Sequence, residues 1–135
     1  MRRCLIVFAL FVGANSAAAQ DNLVATGKFE FLRCKGCHNA TDTATVVKKG
    51  PHLHNLFGRK PGSLPDFEYS EAMVTFGRDK VWNETTLATF LRDPSGTVPG
   101  NKMIDGEFQG IEKDEEVRAL IAYLATLDPD GMAPQ

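Results

Sequence analysis

Cys34, Cys37 and His38 are the residues of this chain best spaced to do chemistry together. In Cys34-Lys35-Gly36-Cys37-His38 two thiols stand three apart with an imidazole directly after the second, which is the attachment signature of c-type haem. If these residues close a helical turn, the three side chains leave from one face at i, i+3 and i+4. Both sulfurs then reach the vinyl groups of a porphyrin while the imidazole reaches its iron. A structural disulfide or a thioredoxin-like pair leaves His38 without a role, and a redox pair would follow a strand in a βαβ pattern that is absent here. Zinc would need four ligands, and no second Cys or His pair at zinc spacing follows.

An iron held by one histidine either stays open or takes a sixth protein ligand, and that choice sets its chemistry. His52, His54, Met73, Met103 and Met132 are the residues that could supply it. Met103 ends the turn-rich stretch Pro99-Gly100-Asn101-Lys102-Met103, which can swing a thioether over a flat ring. Met73 reads as core packing. Met132 falls in a loose tail, and His52 and His54 read as exposed or hydrogen-bonded loop residues. A thioether favours ferrous over ferric iron relative to a second imidazole, so a His/Met site runs at higher potential than a bis-histidine one. An open position would instead point to a haem enzyme or a gas-binding sensor.

Four helical segments are expected to position these groups. From Asp21 to Cys37 the chain places Leu23, Phe29, Phe31 and Leu32 among polar residues, a helical pattern running into the motif, with Asp21 or Asn22 as its cap. Asn83 caps a second helix carrying Leu87, Phe90 and Leu91, which Pro94 ends. The strongest stripe comes last: Val117, Leu120, Ile121, Leu124 and Leu127 follow the acidic start Glu112 to Glu116, where a helix dipole favours negative charge. A short helix around Ser70 to Phe76 has Ser70 as its cap and Glu71 in its first turn. Between Asn39 and Pro65 the chain is rich in Gly, Pro, Thr and Lys and reads as a long loop, a length that wrapping a cofactor would explain. No useful period-two alternation occurs, so the fold class is all-α.

Residues 1–19 read as a cleaved signal peptide: Arg2 and Arg3, an apolar run from Cys4 to Gly13, then Ala17-Ala18-Ala19. The run is about half the roughly 20 residues needed to span a bilayer, so no stable membrane insertion is expected after cleavage. Cys4 leaves with that segment, and the other two of the three cysteines both lie in the motif. Export and haem attachment outside the cytoplasm agree on a bacterial periplasm. Residues 20–127 would form one small domain, near the size at which a cofactor helps complete a core, and residues 128–135 a flexible tail. The formal charge of −2 becomes −4 once Arg2 and Arg3 are removed, which argues against nucleic acid as a partner.

Taken in order along the chain, these residues resemble the class I cytochromes c of the mitochondrial and bacterial cytochrome c2 type. The resemblance rests on CxxCH, on the run from Gly50 to Arg59, on Pro-Gly-x-Lys-Met at 99–103 and on Leu-Ile-Ala-Tyr-Leu at 120–124. It implies a small cytochrome c fold with crossed terminal helices, in which Gly27 and Phe31 meet Leu120 and Tyr123. It also implies one covalent haem on Cys34 and Cys37, with His38 and Met103 as axial ligands. By the same resemblance the Pro51 carbonyl orients His38, Arg59, Tyr69 and Trp82 serve the haem propionates, and Asn101 joins the cofactor-binding residues. The implied role is that of a monomeric one-electron carrier, not an enzyme, meeting an oxidase, a reductase, a bc1-type complex or a photosynthetic reaction centre. Phe90 stands where the family usually carries a tyrosine that reaches the methionine sulfur, and Met73 where many relatives carry asparagine. Residues 104–108 include an insertion of about three residues that brings in Asp105 and Glu107. Arg33, Lys35, Lys48, Lys49, Lys102 and Lys113 form only a partial basic ring, with Ser95, Gly96 and Glu112 in place of basic residues, so weak electrostatic steering is expected.

Overall fold

A computed structural model describes residues 14–41, 43, 46, 48–103 and 108–128. Residues 1–13, the residues 104–107 of the expected insertion, and 129–135 with Met132 lie outside the described residues. Among the described residues five α-helices follow in order: α1 Ala14–Glu30, α2 Glu71–Phe76, α3 Glu84–Arg92, α4 Pro94–Thr97 and α5 Asp114–Ala125. Among the described residues there is no strand, as the all-α expectation requires.

Local chemistry accounts for most helix ends. Ser70 Oγ accepts the Met73 N–H at 3.2 Å, and Asn83 Oδ1 accepts the Thr86 N–H at 2.8 Å, so both expected caps are formed. Pro94 does stop α3, but it also opens α4 as its first residue while Asp93 Oδ1 accepts the Gly96 N–H at 2.8 Å. Asp114, Glu115 and Glu116 occupy the first turn of α5, matching its dipole.

The N-terminal segment departs from expectation in two ways. Helix α1 begins at Ala14, so neither Asp21 nor Asn22 caps it, and its exposed residues 17–20 carry the helix across the expected cleavage point. After Glu30 the α-helix tightens into a 3-10 turn over Phe31–Arg33. Of its expected apolar face only Phe31 is buried, with Leu23 half-buried; Phe29 and Leu32 are 71% and 56% exposed. Glu30 is buried in their stead and is paired with Arg33.

Helix α1 packs chiefly on α5. Gly27 makes the crossing possible: a Cβ there would overlap the Ala119 carbonyl and stand 2.8 Å from Tyr123 Cβ. One turn later Phe31 and Tyr123 meet with ring centroids 5.3 Å apart. Val117, Leu120, Ile121 and Leu124 of α5 join Leu87, Phe90 and Leu91 of α3 in one buried cluster. Asp128 is also buried, one residue beyond the expected domain end. The loop before α2 is tied to the chain before α3 by two backbone bonds, Gly58 N–H to Trp82 O and Trp82 N–H to Arg59 O.

Candidate functional site

The CxxCH segment forms a single helical turn. His38 N–H donates to Cys34 O at 2.9 Å and Lys35 N–H to Phe31 O at 3.0 Å, which gives the three side chains the common face their spacing implies. Cys34 and His38 are buried and Cys37 is half-buried. Cys34 and Cys37 are not joined as a disulfide. Burial pushes the Cys34 thiol up to about 11, with Arg33 opposing and Glu30 reinforcing the shift. A neutral thiol in an apolar wall is unlike the low-pKa cysteine of a redox pair. Among the described residues no group of three or more His, Cys, Asp or Glu could hold a metal ion on its own, so the zinc reading has no support there.

His38 is oriented from behind. Its Nδ1 lies 2.7 Å from the Pro51 carbonyl oxygen, which can only accept, so Nδ1 carries the proton and Nε2 keeps its lone pair. Burial lowers the pKa of His38; the Pro51 bond opposes that, and the cations Lys48 and Arg59 lower it further. Gly50 supplies the room, since any Cβ there would collide with the imidazole ring. Its N–H also donates to Cys37 O at 2.8 Å.

These residues line a cavity of about 530 Å³, within the ordinary range for a ligand or cofactor site. Cys34, Cys37 and His38 share its lining with Met103, Pro51, Arg59, Tyr69 and Trp82, so eight of the nine expected site residues are brought together. Leu53 and Leu56 of the loop, Leu87, Phe90 and Leu91 of α3, and Leu120 and Leu124 of α5 add apolar side chains to its wall. Met73 packs against the core, as its helix position implies, and it lines the cavity as well. His52 and His54 do not line it, although Pro51 and Leu53, on either side of His52 in the chain, do.

The ninth residue, Asn101, acts at one remove. It is buried, and its amide donates to Pro94 O and Val98 O at 2.8 Å each while its Oδ1 accepts the Met103 N–H at 2.9 Å. All of its described bonds therefore go to backbone, and together they fix the turn that presents Met103. Arg59 donates to the His52 and His54 carbonyls at 3.0 Å each, which holds its guanidinium at the cavity. Burial lowers its pKa and raises that of Tyr69, and the electrostatic contact between the two opposes both shifts. Trp82 is buried with its ring centroid 5.3 Å from Phe90.

Gly50 and Lys48 belong to the site as well, although spacing in the sequence does not mark them as site residues. Gly50 leaves a signal only as the residue before Pro51, and the reach of Lys48 Nζ to the Lys35 and His38 carbonyls appears only once the loop is folded. The cradle as a whole fits a covalent haem: two thiols and one oriented imidazole on a single turn, an apolar floor, a thioether held on a stapled turn, and a cation at the wall.

No family model matches the chain. Single relatives do. The chain is 45% identical over 112 residues to cytochrome c2 of Afifella marina, covering 82% of this chain and 87% of that protein. It is 40% identical to cytochrome c2 of Blastochloris viridis over 93% of this chain and 95% of the relative. Cytochrome c-550 of Bradyrhizobium diazoefficiens is 37% identical over 82% of this chain and 77% of its own length. Among solved structures, cytochrome cH from Methylobacterium extorquens superposes with a TM-score of 0.67 at 35% identity, covering 76% of this chain and 97% of its own. With this cradle and these relatives, the chain belongs to the cytochrome c2 family of class I cytochromes c, haem-bearing electron carriers.

Proposed function

We propose that the chain is a periplasmic one-electron carrier whose haem is closed on both faces, by His38 and by Met103. The haem c is attached through Cys34 and Cys37. Its iron supplies reversible exchange of a single electron. The protein's part is to hold that centre still and dry. The Pro51 carbonyl sets His38, Asn101 sets the Met103 turn, and α3 and α5 exclude water with leucine and phenylalanine side chains. Arg59, Tyr69 and Trp82 supply the polar wall suited to carboxylates.

The observation carrying this reading is that one cavity gathers His38, Met103 and both cysteines while His52 and His54 are not among its lining residues. A closed site also disfavours the enzyme and gas-sensor alternative, which needs an open or labile position. Exposing the reduced holoprotein to carbon monoxide tests it. The spectrum should not change; rapid formation of a carbonyl adduct would favour the open-site alternative.

Its partners would be membrane or periplasmic redox complexes, an oxidase, a reductase, a bc1-type complex or a reaction centre, met as a monomer. Several cations of the expected docking ring already have acidic neighbours. Arg33 pairs with Glu30 and Glu116, Lys113 with Glu116, and Lys102 with Glu68 at 3.4 Å. Steering by the remaining charge should be weak. Among the described residues no helix is long and apolar enough to cross a membrane. The proposed export with cleavage after Ala19 would leave Gln20 as the first residue of the mature protein, which intact-mass measurement reads directly.

A further inference from the structure

Lys48 differs from a surface lysine in where its ammonium goes. Its Nζ donates to Lys35 O at 2.5 Å and to His38 O at 3.1 Å. Both carbonyls belong to the end of the CxxCH turn, where unpaired C=O groups concentrate partial negative charge. The neighbouring carbonyls are taken by the same segment: Gly50 N–H donates to Cys37 O at 2.8 Å and Leu53 N–H to Asn39 O at 2.9 Å. Lys48 is thus the charged member of a clasp that closes residues 48–53 over the back of the haem-attachment turn.

We propose that Lys48 is a positioning residue of the haem site, locking the CxxCH turn and fixing one positive charge behind His38 so that the ferrous state is favoured. This rests on the haem reading above and adds to it a determinant of potential. The physical cause is Coulombic: ferric haem carries one more positive charge than ferrous, so a fixed cation nearby disfavours it. The bond from Lys48 Nζ to His38 O places the ammonium directly on the backbone of the residue that faces the haem. The adjacent Lys49 is exposed and lines the cavity, so the two lysines differ in role.

Spectroelectrochemical titration of the holoprotein tests the inference with Lys48→Met, Lys48→Arg and, as an exposed α1 control, Lys28→Met. At the parent's midpoint, Lys48→Met should show a ferric-to-ferrous ratio raised roughly threefold or more, because the lost charge acts through a partly buried medium. The shift should persist at high salt, and Lys48→Arg and Lys28→Met should move less. Lys48→Gln carries the same test where the methionine variant fails to assemble. An unchanged midpoint in Lys48→Met, or an arginine variant shifted as far, overturns the inference. The weak near-red sulfur-to-iron band of the ferric form must survive in Lys48→Met; its loss in that variant alone would assign the shift to the axial ligand and overturn the role of Lys48. Its absence in the parent would count against Met103 ligation, and the midpoint comparison would still decide Lys48.

Discussion

The Nδ1–H of His38 donates to the carbonyl of Pro51 across 2.7 Å, and Gly50, one residue earlier, is the floor on which that imidazole rests. The dipeptide therefore does two jobs: the glycine leaves space for the ring and the next carbonyl turns it. Gly50→Ala should displace the imidazole and cost about 1–3 kcal/mol as an overpacked site. Chemical denaturation of the holoprotein would show the loss, accompanied by a changed Soret spectrum. Parent-like stability and spectrum would mean that the ring is not seated against Gly50.

The crossing of α1 on α5 makes a similar demand at Gly27. Alanine there gains about 1 kcal/mol of helix propensity, yet its Cβ would overlap the Ala119 carbonyl, a backbone atom that cannot rotate away. Gly27→Ala is expected to be destabilising by about 1–3 kcal/mol overall, read as a lower thermal midpoint. A rise in that midpoint would show that the helices separate freely.

Glu116 accepts from Lys113 at 2.8 Å and from Arg33 at 3.3 Å, linking α5 to the turn after α1. The Lys113 hydrogen bond is the main cause holding the Glu116 carboxyl below its ordinary 4.5. A carboxyl depressed in the folded state contributes stability above its unfolded value and loses it as pH falls through the folded one. The stability gap between parent and Glu116→Gln should therefore be present at neutral pH, shrink below about pH 4.5, and narrow in high salt. Unfolding curves across that window check it, and a gap that grows with acid would reverse the sign.

Phe90 is buried against Trp82 and lines the haem cavity, so a hydroxyl added to its ring would enter the site. The resemblance places that hydroxyl near the methionine sulfur. Phe90→Tyr should then change the midpoint potential, and identical redox titrations of parent and variant would rule the effect out.

Much of the site could be read from the sequence because it depends on local spacing. CxxCH needs one helical turn, Ser70 and Asn83 cap through their own side chains, and the leucines of α3 and α5 declare their faces by period. What escaped depends on contacts that form only once the chain has folded. The burial of Glu30 in place of Phe29 and Leu32 accompanies the packing of α1 on α5, where Arg33 pairs with both Glu30 and Glu116. Asn101 earns its position from the Pro94 and Val98 carbonyls, and Lys48 from those of Lys35 and His38. Met73 packs against the core as its helical position implies, but that position says nothing of the cavity it also lines.

That second methionine sets the decisive comparison. The near-red absorption of ferric holoprotein should show the weak sulfur-to-iron band in the parent and in Met73→Ala, and should lose it in Met103→Ala, whose reduced form should also bind carbon monoxide. A band that survives in Met103→Ala, or one that disappears in Met73→Ala alone, would contradict closure of the site by Met103.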